Sequence, residues 1–204
     1  MLKLLLATTN QNKIKEYRQL LKGLSITILT LPPKLDFAVE ETGKTYRANA
    51  ILKARAYGKK LGLPTLTDDT GLEIKALNGF PGIFSNRFAN GNFSLARKEI
   101  LSRLTGIKNR SARFVCAIAL YLPGKKIKTF VGQVAGGITP HSLGEEGFGY
   151  DSIFIPNGYK LTFGQMSAAQ KNQLSHRFQA LTKLRPRLVS LLKLTPPKPF
   201  SINL

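Results

Sequence analysis

At 204 residues, with 43% hydrophobic and 21% charged residues, the chain is long enough to bury its own core and is excluded from the intrinsically disordered class. A single cysteine, Cys116, excludes an internal disulfide framework and any multi-cysteine metal site. Against 31 Lys+Arg stand only 11 Asp+Glu, a formal net charge of +20 that suits an anionic partner: nucleic acid, an anionic membrane or a polyanionic small molecule.

The opening run MLKLLLATTN is apolar and ends in Thr and Asn. It is too short for a signal peptide and has no small-residue cleavage site behind it. It is expected to be the buried first strand of a cytoplasmic protein, and no apolar stretch of about 18 residues predicts a membrane span. KIKEYRQLLKGL follows with helical spacing at Ile14, Tyr17, Leu20 and Leu21 and a Gly stop. SITILTL predicts a short strand before Pro32 and Pro33. TYRANAILKARAYGKKLG predicts an amphipathic helix closed by Gly62. LPTLT predicts a strand that ends at an acidic pair, Asp68-Asp69, ahead of a Gly turn. NFSLARKEILSRLTG predicts a further helix ending at Gly106. ARFVCAIALYL and IKTFVGQVAGGI predict two long strands around PGKK. In the last third, Ser167 and Gln170 form a capping-box pattern and Ser175 can cap the next helix. Pro186 is expected to kink or restart that helix, and the tail at 195–204 is expected to be loosely ordered. Strands that alternate with helices, plus a central hairpin, predict an α/β protein with a mixed sheet.

Four segments carry candidate chemistry. ATTNQNK places Thr8, Thr9 and Asn10 between a strand and a helix N-terminus, with Lys13 in the first turn. Backbone N–H groups at such a point attract anions, and an anion would offset the cost of a cation there. The glycines of a Walker loop are absent. DDTG supplies hard oxygen ligands for Mg²⁺ and a carboxylate that can take a proton from water. The few acids include three adjacent pairs, Glu40-Glu41, Asp68-Asp69 and Glu145-Glu146, and such pairs repel unless cations or hydrogen bonds compensate. GEEGFGYDSIF combines a Gly-loosened backbone with Phe148 and Tyr150, a platform for a flat base, and Asp151 as a hydrogen-bonding partner. QKNQLSHRFQAL brings Lys171, His176 and Arg177 to a helix start. The cations are spread along the chain, with only short clusters such as GKKIK and KLRPR and no basic tail. A small polyanion is therefore favoured, and nucleic acid is expected only as a non-specific electrostatic associate.

Read in order, the blocks ATTNQNK, EETGKTYRANAILKA, TDDTGLEIKALNGFPGIFSNRFA, RFVCAIAL, GFGYDSIF and TFGQMSAAQKNQLSHR resemble the inosine triphosphate pyrophosphatase family, from about Leu2 to Leu181. The GFGYD and SHR blocks separate that resemblance from the related Maf-type pyrophosphatases. The resemblance implies an elongated mixed sheet with two α/β lobes around a central active-site cleft, here spanning residues 1–194. It implies a homodimer that hydrolyses ITP, XTP and dITP to the monophosphate and pyrophosphate with Mg²⁺. It assigns the triphosphate to Thr8, Thr9, Asn10 and Lys13, and the general base and a metal contact to Asp69, with Asp68 beside it. It assigns a further metal contact to Glu41 or Glu40, and substrate contacts to Thr70, Phe148, Gly149, Tyr150, Asp151, Lys171, His176 and Arg177. The chain departs from the family pattern at Ala48, where Glu is usual, at Lys75, where Asp is usual, and at Gln165, where Glu is usual. SAAQK also replaces an acid-rich run. The change at Ala48 falls on the side expected to hold the metal.

Overall fold

Leu4, Leu5 and Leu6 are all buried, so the first strand, β1 (Leu2–Leu6), has no polar face to give to water. Such a strand belongs inside a sheet. In the computed structural model, which describes residues 1–32 and 37–194, β1 lies between β2 (Ile26–Thr30) and β3 (Thr65–Ile74) and runs parallel to both. β4 (Ser111–Tyr121) and β5 (Lys128–Ile138) form the expected long hairpin, antiparallel to each other and, through β4, to β3. The short β6 (Phe154–Pro156) completes a six-stranded mixed sheet in the order β2-β1-β3-β4-β5-β6. The expected α/β class with a mixed sheet is therefore what the chain adopts. The tail 195–204, and Pro33 after β2, lie outside the described residues.

Helices cover both faces. α1 (Gln11–Leu20) is capped by the Asn10 side chain, which accepts from the Asn12 and Lys13 N–H groups. α2 (Tyr46–Leu61) is capped by Thr45 and ends at the left-handed Gly62. α3 (Phe93–Arg103) is capped by Asn92. The capping box of Ser167 and Gln170 forms and starts the single turn α4 (Ala168–Lys171). The Ser175 hydroxyl accepts from the Phe178 N–H at the start of α5 (His176–Leu194). α5 runs on through Pro186, so the expected restart does not occur. Leu184 and Leu188, on either side of it, are both fully buried in one core, and a continuous helix keeps that pair on one face.

The second departure lies in β3. The strand does not stop at the acidic pair: its ten residues, Thr65–Ile74, run through Asp68, Asp69, Thr70 and Gly71. Gly71 makes no turn. A Cβ there would lie 2.1 Å from the Gly82 carbonyl oxygen and 2.7 Å from the Tyr46 ring, so glycine is required by close packing. Strand alternation then sends neighbouring side chains to opposite faces. Leu66, Asp68 and Thr70 face α1 and α5; Thr67, Asp69 and Gly71 face α2. One large cluster (Leu66, Ile118, Leu184 among others) packs under α1 and α5. A second (Leu72, Ile100, Phe154, Phe163) packs under α3 at the other end of the hairpin.

Candidate active site

A cleft of about 410 Å³ opens beside the middle of β3. It gathers segments far apart in the chain: the β1–α1 loop, α2, β3, the loop before the short helical turn at Asp151–Ile153, and the start of α5. Every residue that the resemblance assigns to the site lines it except Glu40, which is exposed, and Asp68, which is buried behind it.

At one end stands the N-terminus of α1 with Thr8, Thr9, Asn10 and Lys13. The Asn10 carbonyl oxygen is spent on the helix cap, and the Thr8 hydroxyl accepts from the Asn10 N–H. The Lys13 ammonium, expected to await an anion, donates to Asp68 at 3.0 Å. Across the cleft, Asp69 accepts from the Asn49 amide at 3.0 Å, and Lys53 donates to Glu41 at 2.5 Å. Arg87 donates to the Glu41 carbonyl at 3.1 Å and so fixes that segment. Burial, the largest influence, raises the Asp69 carboxyl above the usual range against the pull of Lys53 and Asn49, and Glu41 adds to the rise. Burial would lower Lys53, but Asp69 and Glu41 outweigh it and keep the ammonium charged.

Asp68 has the opposite electrostatics. Burial would raise it, yet Lys13 and Arg177 outweigh burial and hold it well below the usual carboxylate range. It belongs to a buried chain of alternating charge. Lys13 meets Asp68; Asp68 accepts from Arg177 at 3.2 Å; Arg177 also pairs with Glu16; Glu16 accepts from Lys171 at 2.7 Å; and Lys171 donates to Asp151 at 2.7 Å. Asp68 and Glu16 each meet two cations and Asp151 meets one, which offsets the cost of burying them.

That chain ends at an aromatic pocket. Lys171 lies 4.7 Å from the centre of the Phe148 ring, and His176 stacks on Phe114 at 4.8 Å with the rings 16° apart. Burial, then Arg177 and Lys171, push His176 well below its usual value, so the ring is neutral. Its Nδ1 is buried with no protein partner among the described residues. The Phe148 N–H donates to Asp151 at 2.7 Å, and the Tyr150 hydroxyl donates to the Ser85 carbonyl at 2.8 Å.

Sequence reasoning missed Lys53, Asn49, Glu16, Phe93 and Phe114. Asn49 and Lys53 left a usable trace: they stand at helical spacing among Tyr46, Ala50 and Ala54 on the buried face of α2, where polar residues are out of place. Glu16 is the only acid of α1.

Residues 4–187 match the model of the Ham1 family. The chain is similar to a dITP/XTP pyrophosphatase of Aquifex aeolicus, at 41% identity over 90% of this chain and 95% of that one. A dITP/XTP pyrophosphatase of Desulfotalea psychrophila is 39% identical over 93% of this chain and 86% of that one. Among solved structures, the Staphylococcus aureus Ham1 protein superposes with a TM-score of 0.84 at 38% identity, covering 93% of this chain and 99% of the other. A HAM1 protein from Coxiella burnetii gives 0.82 at 37% identity, covering 93% and 100%.

Proposed function

Because the chain belongs to the Ham1 family, we propose that it is a hydrolase that converts the non-standard purine nucleoside triphosphates ITP, dITP and XTP to the monophosphate and pyrophosphate. The observation that carries this reading is Asp69: a carboxylate of raised pKa, held by Asn49 beside Lys53, in a cleft with a helix N-terminus at one end and an aromatic pocket at the other.

The donor set fits a divalent metal that shares its ligands with substrate. Among the described residues no cluster of three or more His, Cys, Asp or Glu could hold a metal alone. Glu41 and Asp69 both line the cleft, and Mg²⁺ commonly takes one or two carboxylates plus phosphate oxygens. The Lys53 ammonium lies against Glu41, so this corner already pairs carboxylate with positive charge. Ala48 removes an acid here, but Glu41 and Asp69 remain. Glu41 and Asp69 would hold Mg²⁺, which supplies charge neutralisation at the phosphates.

The remaining steps belong to the protein. Asp69 orients a water toward the α-phosphorus and takes its proton, a role its raised pKa suits. Lys13 and Lys53 stabilise the charge that moves to the departing pyrophosphate. At the other end, Phe148 offers a face to the purine, and His176, Lys171 and Arg177 offer donors. An oxygen at the purine 6-position satisfies a donor that the adenine amino group leaves unpaired. The two large clusters under α5 and α3 serve as the two lobes of one catalytic unit over residues 1–194. Family resemblance supports a cytoplasmic homodimer; among the described residues no helix is long and apolar enough to cross a membrane. Sedimentation would test the dimer. The functional test is pyrophosphate release from ITP, XTP, dITP, GTP and ATP with Mg²⁺. Selective turnover of the first three supports the reading; equal or absent turnover across all five defeats it.

A further inference from the structure

The loop Gly147–Asp151 forms the base end of the cleft, and three contacts hold it. Asp151 grips the Phe148 N–H at 2.7 Å, Tyr150 reaches the Ser85 carbonyl at 2.8 Å, and the Arg97 guanidinium donates to the Gly149 carbonyl at 2.6 Å. The first two are made by residues of the loop itself. The third comes from α3, outside the cleft lining, and neither the motifs nor the family resemblance assigns Arg97 any role.

What Arg97 grips decides where a donor points. Gly149 sits at φ +66°, in the left-handed region, so its peptide could take several orientations without a Cβ penalty. A charge-assisted hydrogen bond from a guanidinium selects one of them. In a trans peptide the carbonyl of one residue and the N–H of the next point in opposite directions. With the Gly149 carbonyl drawn toward α3, the Tyr150 N–H is turned away from α3. That N–H has no acceptor among the described residues, although Tyr150 is only 2% exposed and lines the cleft. A buried, unpaired N–H costs free energy unless a ligand accepts from it. Phe93, four residues before Arg97 on the same helix, meets the Tyr150 ring edge-on at 5.5 Å and braces the same peptide from its side chain.

We propose that Arg97 is a positioning residue for base selection: by holding the Gly149 carbonyl it aims the Tyr150 N–H into the cleft, as a donor for an oxo group on the purine and against an amino group. The proposal rests on the purine triphosphate reading of the cleft. It assigns to α3 a part in choosing the base and none in phosphate chemistry, because the guanidinium touches neither the α1 N-terminus nor Asp69.

The test compares the wild type with Arg97→Met and Arg97→Gln in steady-state hydrolysis of ITP and ATP, with inhibition by added pyrophosphate reporting the phosphate end. Arg97→Met is expected to raise KM for ITP about tenfold and to leave kcat within about twofold. The ratio of kcat/KM for ITP over ATP falls about tenfold, with pyrophosphate inhibition unchanged. Arg97→Gln keeps an amide donor and recovers part of that ratio. An unchanged ITP-to-ATP ratio in Arg97→Met overturns the proposal. So does a loss of kcat and of pyrophosphate inhibition together, or the failure of both variants to fold, since each makes Arg97 a general support of the fold. A wild type without preference for ITP sinks the functional reading itself, and the proposal with it; the wild-type comparison alone reveals that outcome.

Discussion

Glu16 offers the sharpest test of how the site is held together. It is the only acid of α1, and it accepts hydrogen bonds from both Lys171 and Arg177, two cations that line the cleft. Burial would raise its carboxyl, but Arg177 and Lys171 outweigh burial and keep it ionised. Glu16→Gln preserves the shape, leaves one amide oxygen to accept, and removes one negative charge from a chain of three cations and three anions. Breaking a buried ion pair by removing one partner costs about 3–5 kcal/mol. The side chain is 12% exposed and the amide oxygen retains one contact, so we expect about 2–3 kcal/mol. For a protein of this size each kcal/mol lowers Tm by about 2–4 °C, which makes the expected fall about 5–10 °C. Scanning calorimetry measures that fall, and ITP kinetics should show a raised KM because Lys171 and Arg177 lose their common anchor. A Tm within about 2 °C of wild type, with KM unchanged, would refute the view that the alternating chain bears the site.

Further outcomes follow at three single residues. Asp69→Asn should lower kcat by about 10²–10⁴-fold while ITP binding, read by calorimetry, persists. In the metal-free wild type the Asp69 carboxyl should titrate above the ordinary aspartate value, read by NMR, because burial disfavours its ionised form; a midpoint at or below about pH 4 would contradict the assignment. Gly71→Ala should destabilise by about 1–3 kcal/mol or more, seen as a lower urea midpoint, because the new Cβ meets the Gly82 carbonyl oxygen at 2.1 Å. Ala89, at φ 52°, begins a left-handed run with Asn90 and Gly91, so Ala89→Gly should stabilise by about 0.5–1 kcal/mol in the same assay, the relieved strain being partly offset by a freer unfolded chain.

Most elements were legible because their signals are local. Asn10, Thr45, Asn92 and Ser167 mark helix starts by hydrogen bonds to residues two or three places on, and the β4–β5 hairpin is set by two apolar runs around a short turn. A restart at Pro186 and the end of β3 were misjudged for one reason: local chemistry lost to tertiary packing. Leu184 and Leu188 hold α5 together across its proline, and Tyr46 with Gly82 leaves room for nothing larger than Gly71 inside a strand. The site was legible where a residue type was rare. Scarce acids and two histidines drew attention to Asp69, Asp151 and His176, whereas Lys53 and Arg97 were hidden among 31 cations and only distance reveals which of them matter.

The acidic pair shows how the backbone turns an electrostatic problem into a division of labour. In a turn, Asp68 and Asp69 would share one side and compete for one cation. In a strand they point to opposite faces, and each face supplies its own partners: Lys13 and Arg177 for Asp68, Asn49 and Lys53 for Asp69. The two cations hold Asp68 far below the usual range, so it serves to anchor Arg177 and Lys13 and carries no proton. Asp69 keeps one neutral donor and a cation that leans on Glu41, and burial raises it. Glu41 is an acid that adds to that rise. Environments that drive two adjacent carboxyls apart distinguish the one that can take a proton from the one that cannot. The distinction requires the strand to continue through DDTG, and that continuity depends on Gly71.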